Sequence, residues 1–165
     1  MQHEIFSKIP EPIGNEFEFG SVMDCGDGVF NVDVKGGSFK GYRAYLKPLE
    51  KREFIKYVDN GLQGLQNCVW NSVYTKEELI VTVIYVAKRD RMYISVGNNI
   101  PLCKHLFYSD EYIMNNCENA KTRLHMPELY IHGNCFIIQL KNGHFVLDDS
   151  GSCQGRTSCS SAPSN

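Results

Sequence analysis

The stretch Phe136–Leu147, FIIQLKNGHFVL, limits what this chain can fold into more than any other. Phe136, Ile138 and Leu140 alternate with Ile137, Gln139 and Lys141, which is the two-residue period of a half-buried strand. Asn142-Gly143 follows, the pair favoured in a two-residue type I′ turn, where both central residues take positive φ. His144–Leu147 then reads as the return strand. Counted back from a two-residue turn, Lys141 lies opposite His144, Leu140 opposite Phe145, and Ile138 opposite Leu147. The expected core face is therefore Phe136, Ile138, Leu140, Phe145 and Leu147. The return strand runs into Asp148-Asp149-Ser150-Gly151, an acidic and turn-prone end.

Upstream, Phe17, Phe19 and Val22, then Val29, Phe30, Val32 and Val34, predict two strands joined by a turn at Cys25–Gly28. Asp24, Asp27 and Asp33 miss the twelve-residue calcium-loop spacing and no Glu closes it, so that segment is read as a hairpin turn. Ser38 opens a helix whose Phe39, Tyr42, Tyr45, Leu46 and Leu49 form one apolar stripe. Pro48 lies within it. A proline in a helix interior costs about 3 kcal/mol, which predicts a kink near Tyr45–Lys47 or an early end. Lys47, Lys51, Arg52 and Lys56 read as a solvated basic face that complements the helix dipole.

Further strands are expected at Phe54–Val58, Cys68–Tyr74, Glu78–Ala87 and Met92–Val96. Leu79–Ala87 is apolar on both faces, as suits a central strand covered by the helix on one side. The short connections imply antiparallel neighbours. Tyr42, Tyr45, Tyr57, Tyr74 and Tyr85 fall on these elements and are expected to line a core with their hydroxyls at its rim. Asn98–Pro127 has no sustained period and is long for a loop inside one compact domain, which places a boundary there. Residues 152–165 are Ser-rich, with too little apolar surface to offset ordering entropy, and are expected to be disordered.

The 165 residues allow one domain and a fraction. With 42% apolar and 22% charged residues the composition is that of an ordinary globular protein. A net charge of −2 gives no general reason to expect nucleic acid as a partner, and none is expected. Apolar runs fall short of the ~20 residues that span a bilayer, and the N-terminus carries no apolar leader, so no membrane partner is expected. The seven cysteines are odd in number and scattered, which favours reduced thiols and a cytoplasmic location over a disulfide framework.

Candidate chemistry is sparse. His132-Gly133-Asn134-Cys135 pairs an imidazole with a thiol, but no second motif supports a nucleophile. Cys103, His105, Cys153 and Cys159 lack the paired spacing of a structural zinc site, and His125 and His132 have no helix to align them. No catalytic, cofactor-binding or metal-ligating residue is therefore assigned.

Two segments together carry a resemblance. GNCFIIQLKNGHFVLDDSG resembles the opening hairpin of the metallo-β-lactamase-fold hydrolases, in which a strand pair leads to an Asp-x-Gly motif. SFKGYRAYLKPLEKREFIKY, followed by NSVYTKEELIVTVIYVAKRDRMYISVG, resembles the accessory domain that precedes the catalytic domain in some bacterial members. The likeness spans Phe39–Gly151. It implies that Asp149 occupies the motif aspartate, acting from outside the metal's own ligands to hold the metal-binding loop, and that Gly151 is the motif glycine. Asp148 stands where the family usually has an apolar residue. The family's loop His-x-His-x-Asp-His does not occur in these residues. Zinc or another divalent metal is thus expected only in a longer relative, and none is expected to bind this chain.

The expected fold class is α+β, a small antiparallel sheet with one packed helix followed by an isolated β-hairpin. The expected organisation is an accessory domain at 1–98, an irregular linker at 99–127, the first hairpin of a metallo-β-lactamase-like domain at 128–151, and a disordered tail at 152–165. The implied function is the N-terminal portion of a metal-dependent hydrolase, silent in catalysis by itself. A non-enzymatic binding or assembly module acting through a sheet edge is the alternative, and the 135–148 hairpin offers an edge for self-association.

Overall fold

The computed structural model describes residues 4–14, 17–36, 38–59, 69–98, 102, 120–125, 136–141 and 143–148. A short 3-10 turn at Glu4–Ser7 precedes strands β1 (Phe17–Gly26) and β2 (Val29–Gly36). Helix α1 (Phe39–Lys51) follows, then β3 (Ile55–Asp59), β4 (Val69–Lys76), β5 (Leu79–Val86) and β6 (Arg91–Gly97). Strands β7 (Ala120–His125), β8 (Phe136–Leu140) and β9 (Phe145–Asp148) are the remaining strands among the described residues. Two antiparallel sheets result, one of six strands in the order β1-β2-β6-β5-β4-β3 and one of three in the order β7-β8-β9. The α+β class expected from the sequence is present. Among the described residues no helix is long and apolar enough to cross a membrane.

Local chemistry explains the first elements. Asp27 and Gly28, with φ of +54° and +78°, make the two-residue turn between β1 and β2. The Ser38 hydroxyl caps α1 by accepting from the Gly41 N–H at 3.0 Å. Tyr42, Tyr45, Leu46 and Leu49 of the helix pack on one face of the large sheet, against Phe30, Val32, Val34, Val81, Val83, Tyr85, Met92, Ile94 and Val96. The hydroxyls of Tyr42 and Tyr45 are partnered within the core and that of Tyr74 of β4 nearer its margin. Tyr45 donates to the Pro10 carbonyl at 2.7 Å, Tyr74 donates to Glu50 at 2.9 Å, and Tyr42 pairs with Ser72. Ser72 donates on to Asp59, whose two carboxylate oxygens the Arg43 guanidinium holds at 2.9 and 3.0 Å. This network ties the helix to the outer strands β3 and β4.

Three expectations are corrected. Of the two outcomes expected from Pro48, a kink near Tyr45–Lys47 or an early end, the early end is not found: the helix runs to Lys51, and Arg52 closes it by donating to the Pro48 and Leu49 carbonyls. Pro48 sits in the last turn, and the carbonyl it cannot serve belongs to Ala44, on the exposed side of the helix. The hairpin is not isolated, because β7, inside the span read as an irregular linker, pairs with β8 from Ala120↔Leu140 to His125↔Phe136.

The third correction is the hairpin register. Leu140 donates to the His144 carbonyl and Gly143 donates to the Leu140 carbonyl, both at 2.8 Å, so the loop has three residues, 141–143. The pairs become Gln139↔Phe145, Ile138↔Val146 and Ile137↔Leu147. A one-residue slip exchanges the faces of the return strand. Accordingly His144 and Val146 are buried with Leu140, while Phe145, expected in the core, is only half-buried.

Candidate functional site

On the face of the large sheet turned away from α1, one row of small polar residues crosses three adjacent strands. Asn31 of β2 is the cross-strand partner of Ser95 of β6, and Ser95 is the partner of Thr82 of β5. All three are buried. The period of two places them on one face, and antiparallel register lines them up across three adjacent strands. Small polar groups in that position need hydrogen-bond partners, because burial without them is costly.

The hairpin loop supplies the partners. Asn31 Nδ2 donates to the Gly143 carbonyl at 2.8 Å, and the Phe145 N–H donates to Ser95 Oγ at 2.9 Å. Ser95 in turn donates to Asn31 Oδ1, closing a ring through two side chains and the main chain of residues 143–145. His144, between them, places Nε2 3.0 Å from Thr82 Oγ1. With none of its surface exposed, its imidazole is held neutral, burial lowering its pKa from 6.5 to about 3. Gly143 is required twice over. Its φ is +103°, and a Cβ there would lie 2.6 Å from Cys25 Cβ.

Beside this row a groove of about 360 Å³ opens between β1, β2, β6 and the hairpin. Tyr93 and Phe145, edge to face with centroids 6.3 Å apart, form its aromatic wall. Met23, Asn31 and Gln139 line it together with an ion pair between Asp33 and Arg91. A second groove of about 340 Å³ lies along Pro10, Ile13, Phe17, Ala44, Pro48 and Arg52.

The site residues considered from sequence fall elsewhere. Asp149 and Gly151, the two positions of the Asp-x-Gly match, lie outside the described residues, as do His132, Cys135, Cys103, His105, Cys153 and Cys159. Among the described residues no three His, Cys, Asp or Glu side chains converge to hold a metal. Cys25, the one cysteine among them, has its Sγ 3.3 Å from Asn31 Nδ2, which donates to it. The polar row was not singled out from sequence. Its signal was one small polar residue in the middle of each of three apolar strands, in FNV, VTV and ISV.

Comparison with family models, with curated proteins and with solved structures finds no match.

Proposed function

We propose that this chain is the N-terminal portion of a metal-dependent hydrolase of the metallo-β-lactamase fold, without catalytic activity of its own. Support comes from the order of parts. An α+β unit with one helix packed on an antiparallel sheet precedes a β-hairpin, and the hairpin runs into Asp148-Asp149-Ser150-Gly151. In a complete enzyme a metal-bound hydroxide would attack an ester or related bond. The residues here would contribute Asp149 as an aspartate that orients the metal-binding loop.

The coding sequence beyond the Gly151 codon tests the reading. A frame encoding His-x-His-x-Asp-His is the expected result, and its absence from every frame would sink the proposal. A matching biochemical expectation is that the purified chain with zinc or manganese hydrolyses no phosphodiester, ester or β-lactam substrate. Metal-dependent turnover lost on replacing His125 and His132 would contradict it.

A second reading, a binding module that adds a partner's strand to its sheet, is favoured by the outer strands. Ile55 of β3 and Met23 of β1 are 69% and 54% exposed, on strands at the two edges of the large sheet. A downstream sequence without the metal motif would leave this reading in place.

A further inference from the structure

We infer that the row Asn31–Ser95–Thr82 is a docking seat that reads the main chain of a hairpin loop, and that its occupant is the segment Gly143–Phe145 of the same chain. The seat's three residues would thus be positioning residues for β9, although they lie 50 to 112 residues before their partners in the chain.

The hydrogen-bond polarity carries the inference. Ser95 Oγ has one hydrogen, and it goes to Asn31 Oδ1, so toward the loop the serine can only accept. Asn31 turns its oxygen to Ser95 and its Nδ2 to the loop, so toward the loop it donates. The seat therefore offers a donor and an acceptor side by side, matched to a carbonyl and an N–H two residues apart, which Gly143 and Phe145 present. A slip of the loop by one residue would set unlike groups against both. The seat also selects at two side-chain positions. Cys25 leaves no room for a Cβ at residue 143, and Thr82 meets an imidazole at residue 144. The code is glycine, histidine, then any residue with a free N–H.

This seat holds the loop whether or not a catalytic domain follows. If the hydrolase reading above is right, on which this step alone rests, β9 is the strand that delivers Asp149. The six-stranded sheet would then belong to the apparatus that sets the metal loop's position, so accessory and catalytic parts would not be separable.

The test uses the full chain. Asn31→Asp keeps the acceptor for Ser95 and replaces the donor to Gly143 by a carboxylate oxygen; Ser95→Ala removes both links. Amide exchange at Leu140 and Phe145 is compared with exchange at Val83 in the centre of the large sheet, and Cys25 alkylation is followed by mass spectrometry. Both variants are expected to speed exchange at Leu140 and Phe145 by about tenfold or more, the scale of one lost buried hydrogen bond, and to speed Cys25 alkylation, with Val83 unchanged. Unchanged exchange at Phe145, or an equal rise at Val83, would overturn the seat. Should either variant fail to fold, Gly143→Ala attacks the same contact from the loop and must show the same pattern. A stable dimer of the unmodified chain whose Phe145 is protected only in the dimer would show that the occupant comes from a second copy, and would overturn the assignment within one chain. The exchange pattern without a downstream metal motif would keep the seat and discard the hydrolase; a motif without the pattern would do the reverse.

Discussion

His144 shows how one residue can link packing to pH. Its ring is wholly buried beside Thr82, and its pKa is lowered to about 3 by that burial. In the unfolded chain the imidazole takes up a proton near its ordinary pKa of about 6.5, which the folded state refuses. The stability tied to the neutral ring is therefore whole above about pH 6.5 and is lost progressively as pH falls toward 3. Between pH 7 and pH 5 this single group is expected to cost about 2 kcal/mol. Urea unfolding at the two pH values measures it against His144→Gln, in which the difference should shrink by most of that amount. An equal pH response in both proteins would show that the burial is not coupled to titration.

At the scale of elements, Pro48 is the local conflict that packing overrides. Helix α1 continues through it because Tyr45, Leu46 and Leu49 are held on the sheet and the Ser38 cap secures the other end. Pro48→Ala would restore an N–H for the Ala44 carbonyl, offset in part by the greater freedom of the unfolded chain. The expected gain is about 1–2 kcal/mol in urea unfolding, and a destabilised variant would mean that the ring's contacts along the Pro10–Phe17 groove matter more. The helix start and the strands of the large sheet were readable, because caps, Asp-Gly and apolar alternation are local signals. The hairpin register was not. Asn142-Gly143 suits a two-residue turn, whereas the three-residue loop is selected by what lies outside it, namely Asn31, Ser95 and the crowding by Cys25. β7 was missed for a similar reason, since in AKTRLH the side that alternates with Lys121, Arg123 and His125 carries only Ala120, Thr122 and Leu124, too weak an apolar signal without the pairing with β8. The polar row stayed hidden because Asn31, Thr82 and Ser95 acquire meaning only when the register brings them side by side.

At the scale of the whole molecule, the large sheet is buried on both faces in its middle strands, under α1 on one side and the hairpin loop on the other. Its strand order has a consequence for time rather than for stability. β1–β2 is one local hairpin and β3–β4–β5–β6 is one local meander, each joining neighbours in sequence. Only β2 with β6, from Phe30↔Val96 to Lys35↔Arg91, joins strands separated by a helix and three other strands. Closing that long loop spends chain entropy before any of its contacts form, so the union of hairpin and meander is the step expected to limit the rate of folding. Val32→Ala, at that seam, should slow refolding in stopped-flow measurements, whereas Val58→Ala in the outer strand β3 should chiefly hasten unfolding. A refolding limb untouched by Val32→Ala would place the union after the barrier. Until the two halves meet, neither the helix core nor the seat for the hairpin loop exists, since Asn31 comes from one half and Ser95 and Thr82 from the other.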